Sequence, residues 1–339
     1  MPGPSGLRTL RRGCETAGEG DIFMGDETEG AGVFMTLLGG IVWFFQNLAL
    51  GFYDLLWAVF HPGYWLDWIT WNNTTEDKLS LMHVVYYGGS VEFFFAVLAL
   101  VLILTGVGLW RNEFMWGCVR VLEGIANTVG RFAAWAGLLM VVQQIIIVFM
   151  QRIFTRPDIS VGFGIPLQFD ISWFAEELKL YNALVVTLCV TYTFVQGGHV
   201  RVDLIYSAVS HRTKRIIDMV GSLIFMAPSA ILIWMYGWYF LWRHLVTPKP
   251  AASWTLERAE RSAQAVRWNV ETIGFSPNGF NGYFLFKILL VAFAGLVFLH
   301  AIAFFYRSYL ELKEGPESEG KYLDRDTLGE GEEAYEGTH

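Results

Sequence analysis

The residues with the most chemical potential sit in one short segment, Gly197-Gly198-His199-Val200-Arg201-Val202-Asp203-Leu204. Two consecutive glycines end a helix at little cost, because glycine accepts the left-handed conformation of a C-terminal cap. His199, Arg201 and Asp203 then alternate with valines and a leucine. The polar groups can share one side while the apolar ones stay against lipid or a neighbouring helix. Asp203 is placed to cap a short helix over 204–209, and Ser210 precedes the basic run His211–Arg215 that opens another. Such a corner suits binding of a partner or an anion. It equally suits an ordinary loop that caps one helix and carries charge at the start of the next.

A second group is Trp173, Glu176, Glu177 and Lys179, all within two helical turns. Glu176 and Lys179 share a face at i, i+3. Carboxylates in a first turn are favoured by the helix dipole, which is the plain structural explanation. The helix beyond them is apolar, so at least one of these charges approaches the hydrocarbon, where an ionisable residue usually faces protein and serves a function. A catalytic carboxylate pair has no positioned partner in view. Lys287 lies in the first turn of a later apolar stretch, where it can snorkel to the interface or pair with Glu271 or Glu176.

Other chemistry finds little support. Cys14, Cys118 and Cys189 are odd in number and far apart, which implies neither a disulfide framework nor a zinc site. Two-helix haem ligation needs histidines at matched depth. His83 opens one stretch, whereas His300 lies about 25 Å along another by helical rise. Walker, dinucleotide, HExxH and nucleophile-elbow motifs are lacking. No cofactor, no metal, no enzymatic activity and no nucleic-acid partner are therefore expected.

The elements that position these residues are hydrophobic. Of 339 residues 54% are hydrophobic and 17% charged, below the quarter usual in soluble domains. A hydrocarbon core about 30 Å thick needs roughly 20 apolar residues in a helix. Six stretches qualify: Val33–Phe60, Leu79–Trp110, Thr128–Phe149, Trp173–Gln196, Ile216–Leu241 and Tyr283–Tyr306. Asp54 and Glu92 inside the first two either face a helix or mark a stretch shorter than this. The expected class is an all-α integral membrane protein of about six transmembrane helices in a lipid bilayer.

Lys and Arg in the connecting segments divide fourteen against eight in favour of both termini being cytoplasmic. Residues 61–78, 150–172 and 242–282 are then outer loops, the second interrupted by Pro157, Gly162, Gly164 and Pro166, the third carrying a charged helix near Glu257–Arg267. Residues 1–32 form a polar tail with no apolar stretch at signal-peptide distance from Arg8, Arg11 and Arg12, so no cleaved signal is expected. Residues 311–339 hold ten acidic and three basic residues, a net of −7 within the chain's −8, and read as a disordered cytoplasmic tail.

Trp173-Phe-Ala-Glu-Glu-Leu, followed one helix later by Gly197-Gly-His-Val-Arg-Val-Asp-Leu, resembles the small membrane subunit (DctQ type) of tripartite ATP-independent periplasmic (TRAP) transporters. Gln151-Arg-Ile-Phe resembles the end of that family's first helix, and Ser276-Pro-Asn-Gly with Lys287 the approach to its fourth. The likeness covers roughly residues 128–310. It implies a four-helix core over 128–310, preceded by an additional helical hairpin over 33–110 and a cytoplasmic connector over 111–127. It also implies a role: bracing the large TRAP membrane subunit during sodium-coupled uptake of an organic acid, such as a dicarboxylate, delivered by a periplasmic substrate-binding protein. On that view Gly197, Gly198, His199, Arg201 and Asp203 hold the cytoplasmic corner. Trp173, Glu176, Glu177, Lys179 and Lys287 order the outer half or contact the large subunit. The competing expectations are a membrane anchor subunit of a redox complex and a self-contained carrier; the six stretches show no inverted repeat of the kind that builds carrier sites.

Overall fold

Six helices among the described residues are long and apolar enough to cross a membrane, and the chain is an all-α multi-pass membrane protein. The structure, a computed structural model, describes residues 29–156, 158–161, 167–197, 209–272 and 279–324. It divides into two compact units, Met1–Ala49 and Leu50–His339. The described part of the first belongs to helix α1 (Glu29–Phe60), whose side chains from Met35 to Phe45 are almost wholly exposed and apolar. That composition belongs in lipid.

The second hydrophobic stretch is two helices. Helix α2 (Gly63–Leu66) and a 3-10 turn (Asp67–Thr70) lead into α3 (Thr75–Tyr87), and α4 (Val91–Trp110) follows after a break at Gly88-Gly89-Ser90. Only α4 is apolar enough to span, so the expected 33–110 hairpin is two spans separated by a folded insert. A Cβ on Gly88 would lie 2.2 Å from the Trp238 ring, so only glycine admits that approach. Ser90 then caps α4 by accepting from Phe93 N–H at 3.3 Å, with Glu92 in the first turn. Glu92 is thus a helix-start carboxylate rather than a mid-span charge.

The insert has its own core. Leu81, Met82 and Val85 of α3 pack on Ala259 and Ala263 of α9 (Leu256–Ala263), and Trp68, Trp71 and Trp254 cover them. At the head of α3, Thr74 and Asp77 exchange hydrogen bonds, and Asp77 also accepts from Asn72 N–H at 2.7 Å. Burial opposes the charge on Asp77, but these donors outweigh it and hold its carboxyl below the usual carboxylate range.

A single extended residue, Arg111, separates α4 from α5, which runs from Asn112 to Val148 and through a wider turn to Ile153. The expected connector 111–127 is therefore the first third of a continuous helix of 42 residues. Met115, Trp116, Val119, Glu123, Ala126 and Asn127 fall on its buried face, the spacing that makes a helix worth forming there. Helix α6 (Ile171–Gln196) packs antiparallel along α5, entered through a hairpin of β1 (Asp158–Val161) and β2 (Leu167–Asp170). That hairpin gives form to the structured connection expected over 150–172; Pro157, Gly162, Gly164 and Pro166 lie outside the described residues.

Helix α7 (His211–Gly221) continues through a wide turn over Ser222–Met226 into α8 (Ala227–Trp242), with Pro228, which has no N–H to give, just past the turn. Strands β3 (Val246–Thr247) and β4 (Arg267–Trp268) pair antiparallel around α9. Helix α10 (Tyr283–Glu314) is central, packing on α5, α6, α7 and α8, and extends two turns beyond the expected Tyr306. After it the chain turns through Pro316–Ser318 and stays placed to Asp324, so the start of the expected disordered tail is ordered.

Candidate functional site

The start of α6 brings together some of its predicted residues and parts others. Asp170 caps the helix, accepting from Ser172 N–H at 2.9 Å. Glu177 turns toward α5, accepting from Gln143 Nε2 at 2.9 Å and from the Tyr181 hydroxyl at 2.9 Å, while Gln143 also donates to the Phe174 carbonyl at 3.0 Å. These polar bonds tie α5 to α6 within apolar surroundings. Glu176 faces away from that cluster; it is 8% exposed and packed against Gly279. Lys179 is exposed, so it does not share the environment of Glu176 despite the i, i+3 spacing. Trp173 meets Phe280 edge to face at 5.3 Å, fastening the α6 start to the segment before α10.

Lys287 does not snorkel. It is 2% exposed, and its ammonium lies over the Phe240 ring at 4.6 Å and the Tyr283 ring at 4.7 Å. Glu271, one of its expected partners, acts on it electrostatically and also pairs with His244 at 3.2 Å and Lys249 at 3.9 Å. Of the corner, Gly197 is described: it ends α6 at φ 79°, ψ 12°, the left-handed cap that its type suggested. Gly198, His199, Arg201 and Asp203 lie outside the described residues. Ser210 does precede α7, but its hydroxyl meets the Thr213 hydroxyl at 2.9 Å instead of a backbone N–H.

The densest polar arrangement among the described residues is one that sequence reasoning passed over. Arg307 of α10 holds Glu123 of α5 through two parallel bonds of 2.6 Å, both side chains nearly sealed from solvent. The same guanidinium reaches Glu311 at 3.4 Å and the Lys321 carbonyl at 3.1 Å. Glu311 lies 2.9 Å from Arg215 Nε of α7, without hydrogen-bond alignment, and Arg215 also holds Glu319 at 2.6 Å. Two arginines and three glutamates thus join α5, α7, α10 and the chain after it. Around them Trp116 donates to Glu314 at 2.9 Å, and Tyr306 packs with Met115, Val119 and Leu310. Farther on, Asp324 accepts from Arg131, Asn127 and Gln196, adding α6 to the assembly.

The i, i+4 spacing of Arg307 and Glu311 was visible in the sequence, as was the solitary Glu123 on an apolar face. Their arginines were counted as loop charge because the partners lie 184 and 96 positions away. The histidines sit apart. His83 stacks on Tyr64 at 3.8 Å and meets Glu260 at 3.3 Å in the aromatic insert, whereas His300 lies between Phe194 and Phe304 in the bundle.

Both clusters have the character of fastenings. The strongest bonds in each run from one helix to another of the same chain, and no group of three or more His, Cys, Asp or Glu assembles for a metal among the described residues. Comparison with known proteins returns no matching family model, no matching characterised protein and no matching solved structure.

Proposed function

We propose that this chain is the small membrane subunit, DctQ type, of a TRAP transporter in a bacterial inner membrane. In this role it braces the large membrane subunit while that subunit moves an organic acid, delivered by a periplasmic binding protein, with sodium. The observation that carries the reading is the pairing of the Trp173-to-Leu178 segment with the Gly197-to-Leu204 corner, at opposite ends of one helix.

The packing supports a brace over a conduit. Gln143, Glu177, Glu123 and Arg307 bond helix to helix, and a wide apolar strip of α5, including Phe132, Trp135, Leu139 and Val142, stays uncovered. With the termini in the cytoplasm, the arginine–glutamate cluster faces inward and the aromatic insert outward, toward the delivering protein. Arg201 and Asp203 then fix the inner corner, and Glu177 orders the outer half.

Three measurements test this. The tagged chain, expressed with its genomic neighbours, retains a large multi-helix permease through purification in mild detergent. Reconstituted alone, it carries no organic acid into proteoliposomes; uptake by the lone chain would sink the proposal. Arg201→Ala lowers uptake by loosening the subunit pair and leaves the binding protein's affinity unchanged. Normal uptake by that variant, with an intact complex, would reduce the corner to an inside-positive loop.

A further inference from the structure

Between α8 and α10, both membrane-spanning, an apolar groove opens to the outside of the bundle. Leu232, Ile233, Tyr236, Phe240 and Leu290 line it, and Gly237 forms its floor. The groove exists because Gly237 has no side chain: a Cβ there would point at Val291 and Leu290 from 3.4 and 3.6 Å. Its free space is about 510 Å³, and Tyr236 on the rim is 80% exposed. From Leu232 to Phe240 it runs about 12 Å at 1.5 Å per residue, close to the depth of one leaflet of a hydrocarbon core about 30 Å thick.

One end of this groove is charged. Tyr236, Phe240 and Arg243 follow one another at i, i+4 and i+7, so Arg243 stands on the same face of α8 where the apolar stretch runs out. Arg243 is exposed, and its side chain makes no ion pair among the described residues. Behind Phe240 lies Lys287 of α10, three residues before Leu290. Its ammonium sits 4.6 Å from the centre of the Phe240 ring and makes no hydrogen bond among the described residues. Glu271 is the carboxylate that acts on Lys287, and it is shared with His244 and Lys249. Three cations therefore gather around one carboxylate. A charge with rings for neighbours is felt farther than the same charge in water, so this end attracts an anion.

We propose that the groove between α8 and α10 is a binding site for an anionic phospholipid. One acyl chain lies along Gly237 and Leu290, and the phosphate rests against Arg243, with Lys287 adding positive charge from behind Phe240. A trough of leaflet depth with cations at its interfacial end alone complements an amphiphile with one anionic head. The proposal goes beyond the transporter reading and does not rest on it, since both walls belong to this chain.

The test titrates the full chain, purified in mild detergent, with dioleoyl phosphatidylglycerol or dioleoyl phosphatidylcholine and counts bound lipid by native mass spectrometry. Phosphatidylglycerol binds about tenfold more tightly. Arg243→Gln/Lys287→Met removes that preference, and Gly237→Leu, which fills the floor, weakens both lipids alike. Equal affinity for the two lipids in the parent overturns the proposal, as does a preference that survives the double variant. Glycerol phosphate, the head without chains, does not compete at millimolar concentration; competition by it would make this a free-phosphate site and also overturns the proposal. Should Lys287→Met fail to fold, Arg243→Gln alone decides: the preference falls about threefold, and an unchanged preference counts against the site. A photoreactive residue in place of Tyr236 captures lipid in cell membranes. Capture of a polypeptide there instead of lipid would show the groove to be a protein interface.

Discussion

At one end of the second unit, Arg215 and Arg307 are shared among Glu123, Glu311 and Glu319. At the other, Trp234 donates to the Gly88 carbonyl at 2.8 Å, Trp238 to Val85 at 2.9 Å and Tyr239 to Tyr86 at 3.4 Å. The second set satisfies the orphan carbonyls at the end of α3 with neutral donors on large apolar bodies. The first set joins full charges, all but Glu319 removed from water. Both fasten helices distant in sequence, but they fail differently. Removing one charge leaves its partners buried and uncompensated, whereas removing one indole N–H leaves a single carbonyl unsatisfied. One end is therefore brittle to substitution, and the other degrades by small steps.

The contrast is sharpest at Arg307. Arg307→Met leaves Glu123 buried without its cation and Glu311 with Arg215 alone, and is expected to cost about 3–5 kcal/mol. Denaturant unfolding in detergent measures it, and Arg307→Met/Glu123→Leu should recover a large part; a loss under about 1 kcal/mol, the range of exposed pairs, would erase the contrast. At the aromatic end Trp238→Phe keeps one aromatic ring and removes the donor, so about 1–3 kcal/mol is expected for the stranded Val85 carbonyl. A penalty matching that of Arg307→Met would make the two ends alike.

Thr74→Ala, which breaks the reciprocal cap of α3, should cost about 1 kcal/mol. The Asp77 half of that cap carries a sign: its carboxyl is held low in the folded state, so its contribution is full above the ordinary carboxylate range and is lost as pH falls through the lowered value. Hydrogen exchange over 75–78, taken relative to the intrinsic rate, should therefore rise below about pH 4, whereas the Asp77→Asn variant's profile stays flat. The smallest effect belongs to neither end. Gln143→Leu removes the interhelical bonds to Glu177 and the Phe174 carbonyl and should cost about 0.6 kcal/mol, since unfolded helices in lipid find other partners. Unfolding of that variant provides the baseline for the rest.

The spans were legible because lipid imposes length and composition together, and five of the six expected stretches coincide with a spanning helix to within a few turns. The sixth hid its break. Gly88-Gly89-Ser90-Val91-Glu92 carries a helix-start signal, but α3 and α4 are apolar on both sides of it, and the aromatic rings that need the glycines lie some 150 positions away. Local chemistry was readable where it acted locally: Gly197 ends α6 as its type suggested, and the charged stretch near Glu257 is a helix. The tail misled by composition. Glu319 and Asp324 look like residues of a solvated segment until Arg215 and Arg131, distant in sequence, are brought beside them.

Helix α5 has a consequence in mechanics. At 1.5 Å per residue its 42 residues make a shaft about 63 Å long, roughly twice the thickness of a hydrocarbon core. It is gripped near one end by Glu123 and Asn127 and farther along by Gln143. A rigid shaft turning about one of its grips is a lever: a tilt of about 5° about the Glu123 grip sweeps the far tip, about 45 Å away, through about 4 Å. About that grip a displacement of the near tip is enlarged at the far one, and a displacement of the far tip is reduced at the near one.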